Sequence, residues 1–263
     1  MSSSKRIVAA VAAVLLGGVA AQAAPTPYIG INFSGNPTVN LAAGESAGFI
    51  AQTNYNNIDR ASANFTTGVL NNASGVATAV TATVVSIEQW NVDDNAVLTP
   101  TSDQKLLRGV IVGNSAVNSA SVTLNNVAAG QYTIYLYSAG DGNTNGSREK
   151  LSLTTPVGVA DYYLRPSKLL EFGTSGYVKA TTTIQPAGSV DYPVANYATW
   201  DVTLASAGSI TVQAYAGQPY GTGGFSDRSR ISGIQLMQVV PEPTMLGLGL
   251  VGAAGLLRRQ RKI

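Results

Sequence analysis

Between residues 28 and 239 the chain never sustains a 3.6-residue apolar period over twelve residues. Short apolar runs alternate instead with clusters of Gly, Asn, Ser and Pro. Helices need the longer period to face a core, whereas strands need only every second residue and a turn at each end. This texture therefore predicts an all-β body. The clearest strand is Gln131-Tyr132-Thr133-Ile134-Tyr135-Leu136-Tyr137, which places Tyr132, Ile134 and Leu136 on one face and Thr133, Tyr135 and Tyr137 on the other. Further strands are expected at 28–33, 76–87, 106–112, 121–124, 151–155, 157–163, 177–184, 198–204, 209–216 and 231–239, with a long loop at 89–105 and a turn at Asn125-Asn126. Ten to twelve strands at this spacing, without a 20–50-residue repeat, imply a two-sheet sandwich or jelly roll.

The two ends differ from this body. Lys5 and Arg6, the apolar run 7–19 and Ala21-Gln22-Ala23 have the order of a secretory signal peptide, with cleavage after Ala23. At the other end Val240-Pro241-Glu242-Pro243-Thr244 breaks regular structure, because proline donates no backbone hydrogen bond and disfavours helix before it. An uncharged run, 245–257, follows, and Arg258, Arg259, Arg261 and Lys262 form a cationic stop of the positive-inside kind. Thirteen residues are short of the roughly 20 that span a bilayer as helix. Physical chemistry thus leaves a membrane anchor and a short buried helix both open. Gly247-Leu248-Gly249-Leu250-Val251-Gly252 matches G-x-G-x-x-G, but prolines precede it and no acidic residue follows, so a dinucleotide site is rejected.

The ordered trio of Pro-Glu-Pro, apolar run and basic end resembles the PEP-CTERM sorting signal. The resemblance covers about the last 24 residues. It implies a substrate of an exosortase, a membrane-embedded protease or transpeptidase of exopolysaccharide-producing Gram-negative bacteria. Pro241, Glu242 and Pro243 would be its recognition residues, and residues 245–262 a hydrophobic anchor helix and its stop, removed on processing. The body resembles the jelly-roll, galactose-binding-like domains that carry such tails. The matching features are Ile29-Gly30-Ile31-Asn32-Phe33, Tyr55-Asn56-Asn57-Ile58, Gly75-Val76-Ala77-Thr78, Leu106-Leu107-Arg108-Gly109, the strand from Gly130 to Tyr137, and Arg230-Ile231-Ser232-Gly233-Ile234-Gln235-Leu236. The organisation expected is a signal peptide at 1–23, a β-sandwich at 24–239 and a sorting signal at 240–263.

Composition removes whole classes of function. Cysteine and histidine are absent, which excludes disulfides, thiol and imidazole catalysis, and almost all zinc, copper and haem sites. Charged residues are only 11% of the chain, well below the usual quarter, which suits a secreted β-rich protein. Six of the 16 cations and one of the 14 acids, Glu242, lie in the end segments, leaving ten cations against 13 acids. The body is acidic, with no basic patch for nucleic acid.

What remains is a short set of candidates. Asp141-Gly142-Asn143-Thr144-Asn145-Gly146 fits the first half of a calcium loop, with Glu149 at the ninth position. The twelfth position is Ser152 and no helices flank the loop, so a plain hairpin is favoured over weak calcium binding. Asp93 and Asp94 could be one half of a glycosidase pair, but a solvated acidic loop is the simpler reading. Trp90, Trp200 and the tyrosines could stack on sugars, although in sandwiches such rings usually fill the core. The expectation is therefore a non-enzymatic, cofactor-free exported protein. It would be delivered by the secretion machinery, held transiently in the membrane, and structural or adhesive in the cell envelope, cell surface or extracellular exopolysaccharide matrix. A carbohydrate-binding module of the same fold is the alternative; a polysaccharide-active enzyme ranks third.

Overall fold

The computed structural model describes residues 26–35, 39–59, 64–92, 99–113, 119–140, 148–155, 158–187, 192–216 and 228–240. The strands are β1 (Thr26–Phe33), β2 (Asn56–Ile58), β3 (Asn64–Thr66), β4 (Thr81–Val85), β5 (Glu88–Asn91), β6 (Gly109–Gly113), β7 (Ala120–Val127) and β8 (Gly130–Tyr137). They continue with β9 (Glu149–Thr155), β10 (Gly158–Pro166), β11 (Val194–Ala195), β12 (Tyr197–Leu204), β13 (Gly208–Ala216), β14 (Ser229–Ile231) and β15 (Gly233–Val239). Two helices, α1 (Ser102–Arg108) and α2 (Leu169–Ser175), have seven residues each.

The strands form a five-stranded sheet in the order β12-β8-β15-β1-β2, a seven-stranded sheet β11-β10-β9-β13-β7-β4-β3 and a small sheet β14-β6-β5. Pairing is antiparallel except at the short edge pairs β1–β2 and β10–β11. The inner faces of the two large sheets share one core. Ile31, Ile134, Leu136, Trp200 and Leu236 from the first sheet meet Val84, Val122, Leu151, Ile210 and Val212 from the second. Each fully buried aliphatic side chain contributes about 1.5–3 kcal/mol. The described body, Pro25–Val240, is a β-sandwich.

The alternation read in β8 holds, with one addition. Tyr132, Ile134 and Leu136 enter the main core, but the opposite face is buried as well. Tyr135 and Tyr137 join Tyr197, Met237, Leu106, Leu107 and Phe172 in a second core, roofed by residues 39–55, α1 and α2.

Several expected elements are redrawn. The strand expected at 76–87 shrinks to β4, because Asn72 caps a turn with its side-chain oxygen on the amides of Ser74 and Val76, both at 3.0 Å. The loop expected at 89–105 contains most of β5 and the start of α1, and the strand expected at 106–112 begins as the end of that helix. The overlooked signal is Thr101-x-x-Gln104, a capping box: Thr101 accepts from the Gln104 amide and Gln104 from the Thr101 amide. The turn expected at Asn125-Asn126 lies inside β7, which runs on to Val127 with Asn126 at a φ of 58°. Residues 177–184 are not a strand. Lys179 makes one bridge to Tyr197, and Thr182 then accepts from the Tyr163 amide, so the segment crosses from one sheet to the other. Ser232 divides the expected last strand into β14 and β15. Among the described residues no helix is long and apolar enough to cross a membrane. The expected signal peptide, the Pro241-Glu242-Pro243 motif and the anchor with Arg258, Arg259, Arg261 and Lys262 lie outside the described residues.

Gly109, where α1 passes into β6, is pressed against the end of β1. A Cβ there would lie 1.6 Å from the Phe33 carbonyl oxygen and 2.7 Å from Ser34 Cα, both backbone atoms. The expected outcome for Gly109→Ala is a loss of about 3 kcal/mol or more, read by thermal denaturation as a Tm lower by roughly 6–12 °C.

Candidate functional site

One exposed ring, Phe49, lies over the tyrosines of the second core. Phe49 is 46% exposed, while the tyrosines beneath it are 7% (Tyr135) and 4% (Tyr197) exposed. Its ring is stacked on Tyr197, with centroids 4.9 Å apart at 27°, and on Tyr135 at 5.7 Å and 28°. Tyr177 meets it edge-on at 6.3 Å. These are favoured aromatic geometries, each pair adding about 0.5–1.5 kcal/mol beyond burial.

The backbone under Phe49 is fixed by the same tyrosines. The Phe49 amide donates to Tyr137 Oη at 2.9 Å, and Tyr137 donates to Gln235 Oε1. Gln235 donates to the Ile50 carbonyl at 2.8 Å and to Gln52 Oε1 at 3.1 Å. The Gly48 amide is shared between Asp103 Oδ1 at 2.9 Å and Tyr177 Oη at 3.1 Å, while Tyr177 donates to Asp103 at 2.8 Å. Gly48 has a φ of +97°, and a Cβ there would meet Gln235 Oε1 at 2.5 Å and Tyr55 Oη at 2.6 Å, so only glycine fits. Lys105 of α1 reaches Glu45 at 2.6 Å and ties the loop to the helix. Burial pushes the phenols of Tyr55, Tyr137 and Tyr177 well above their usual range, with Asp103 adding to it at Tyr55 and Tyr177. They stay neutral and keep donating at any physiological pH.

Two grooves lie at the open sides of the sandwich. One, of about 480 Å³, runs between β12 and the β9–β10 hairpin, lined by Trp200, Tyr162, Lys179 and Asp201 among others. The other, of about 530 Å³, lies beside β2 and is lined by Asn56, Asn57, Asp59 and Phe65 among others. In the second, Asn57 is already consumed: it accepts from Asn32 and the Leu41 amide and donates to the Leu41 carbonyl. Each groove holds one carboxylate among its described residues, Asp201 or Asp59, where glycoside hydrolysis needs two.

The residues singled out in the sequence are dispersed. Trp200 is 7% exposed and packs on Tyr162 at 5.4 Å in the main core. Trp90 packs against the second core beneath the Arg228 guanidinium, 5.5 Å from its ring centroid. Both rings are core-facing, as the simpler reading had them. Asp93, Asp94, Asp141, Asn143 and Asn145 lie outside the described residues. Among the described residues no three acidic side chains gather as metal ligands. Glu149, set in the sequence as a calcium-loop oxygen, is fully buried at the start of β9; it accepts from Arg230 at 3.1 Å and from Ser138 at 2.8 Å. Its carboxylate is thereby committed inside the fold. Phe49 escaped sequence reading because Gly48-Phe49-Ile50 sits in a loop without periodicity. Gly48, immediately before the ring, is the local mark of the tight backbone that presents it.

No family model matches the chain, and no curated protein matches it by sequence. Among solved structures, the ANXUR1 extracellular domain from Arabidopsis thaliana matches over 81% of this chain and 48% of its own, with a TM-score of 0.43 and 10% identity. The plant receptor-like kinase ANX2 matches over 82% and 49%, with a TM-score of 0.45 and 10% identity. A calcium binding mutant of Bacteroides uniformis beta-glucuronidase 2 matches over 60% and 14%, with a TM-score of 0.34 and 12% identity. The chain spans about half the length of the plant proteins it matches. Likeness at this level assigns no activity to it.

Burial raises the Glu149 carboxyl from 4.5 to about 7, against the opposing pull of Arg230 and Ser138. The folded state therefore holds this proton more tightly than the unfolded chain. The group's stabilising contribution is whole below about pH 4.5 and is lost as pH rises through about 7. Thermal denaturation across that window should show the Tm falling as pH rises, and Glu149→Gln should flatten the dependence.

Proposed function

We propose that this chain is an exported, non-catalytic jelly-roll sandwich, galactose-binding-like in kind, that holds exopolysaccharide at the cell surface or in the extracellular matrix. The exposed Phe49 ring carries this reading. It is backed by stacked tyrosines and locked by hydrogen bonds on both sides, so it offers a rigid apolar platform on which the C–H face of a sugar ring can stack at little entropic cost. Each groove has one carboxylate among its described residues, which favours binding over hydrolysis. A role as a dedicated carbohydrate-binding module differs only in whether the glycan is the protein's target or its surroundings.

Phe49→Ala should weaken retention on host exopolysaccharide, followed by affinity electrophoresis, by about tenfold. Its Tm should change by only a few degrees, because the ring is half exposed. Retention equal to that of the unaltered protein sinks the platform.

Delivery rests on the two ends. The chain is read as entering the secretory route through 1–23 and as being cut by an exosortase near Pro241-Glu242-Pro243. Intact-mass measurement of the mature protein from its native host should show both segments gone. A cytosolic product still carrying 245–262 would refute the sorting scheme.

A further inference from the structure

Among the described residues, the outer edge of β12 has a main-chain row without a partner. Tyr197 shows which residues point outward: its carbonyl accepts from the Ala180 amide at 2.8 Å and its amide donates to the Val178 carbonyl at 3.3 Å, both away from β8. In an antiparallel pair this orientation recurs at every second residue. Thr199, Asp201 and Thr203, opposite Tyr135, Thr133 and Gln131 of β8, therefore also direct their amides and carbonyls outward. No described main-chain group takes them. Ala198, Trp200 and Val202 instead bond to β8.

Three features say what such an edge receives. It already pairs with an extended segment at Val178–Ala180, which leaves at Thr182 for β10 and frees the next five residues. Five is an ordinary strand length. The groove of about 480 Å³ along this edge has an apolar floor of Leu153, Ala160, Tyr162, Trp200 and Val202, which suits inward side chains at alternate positions. On the outward face Asp201 is exposed, and only its Oδ1 is engaged, by Thr133 at 2.7 Å.

We propose that this edge binds a foreign extended polypeptide by strand addition, with aliphatic residues opposite Trp200 and Val202 and a lysine or arginine opposite Asp201. A second copy of this chain is a poor occupant. The register that uses all three residues on both copies sets Asp201 against Asp201, and like charges directly opposite destabilise a pair. Asp201 thus blocks self-association and selects a basic strand.

The test uses the full chain and two peptides, Thr-Val-Lys-Val-Thr and Thr-Val-Glu-Val-Thr, at millimolar concentration, with amide hydrogen exchange read residue by residue. In the free protein the amides of Thr199, Asp201 and Thr203 should exchange fast and those of Ala198, Trp200 and Val202 slowly. The lysine peptide should slow the first three by about tenfold or more, and the glutamate peptide should not. Asp201→Lys should reverse that preference, and Asp201→Asn should abolish it. Protection of the three amides in the free protein, no protection by the lysine peptide, or equal protection by both peptides would overturn the proposal.

Discussion

Strand β8 is buried on both faces, and this constrains the rest of the molecule. A sheet with one wet face needs only a partner sheet on the other, and the seven-stranded sheet supplies that partner. The second face of β8 carries Tyr135 and Tyr137, which have little access to water. Something must therefore cover it, and residues 39–55, α1 and α2 do so.

The cover explains why these positions are tyrosines rather than aliphatics. A loop packed on a sheet brings unpaired amides, each costing about 1–3 kcal/mol if left buried and unsatisfied. A tyrosine buries a large ring and still offers an oxygen. Tyr137 takes the Phe49 amide, and Tyr177, with Asp103, takes the Gly48 amide. The ring stack and the hydrogen bonds act as one device, because each ring that packs also fixes the backbone above it. Phe49 is held in place at the top of that stack, and its exposed, rigid ring follows from a packing requirement of the sheet.

A buried ion pair joins the start of β9 to β14. Glu149 and Arg230 are paired with almost no solvent access, and the carboxyl nonetheless stays well above its usual range because the loss of hydration outweighs the cation beside it. These buried polar groups hold the fold together: the pair joins β9 to β14, and the tyrosines fix the loop above them.

How much could be read from the chain varies by element. The strand with the cleanest alternation, β8, stood out because side chains on opposite faces write a period of two into the sequence. The helices did not, since seven residues are too few to show a period, and only the Thr101–Gln104 capping box betrays α1. The crossing at 177–184 looks like a strand by composition, but its hydrogen bonds go to two different sheets. Of the candidate site, the tyrosines of β8 were visible as an alternating face, while Phe49 had no local signature.

Taken alone, the sequence determined that the body is a β-rich sandwich without thiol or imidazole chemistry, and that its two ends differ from it in composition and order. These are properties of residue type and short-range spacing. Only the tertiary structure decided that the tyrosine face is roofed, that Glu149 is an internal ion-pair partner, and that Thr199, Asp201 and Thr203 of β12 have no main-chain partner among the described residues. Each of those depends on contacts between segments far apart in the chain, and no local pattern records which distant backbone will arrive to take a hydrogen bond.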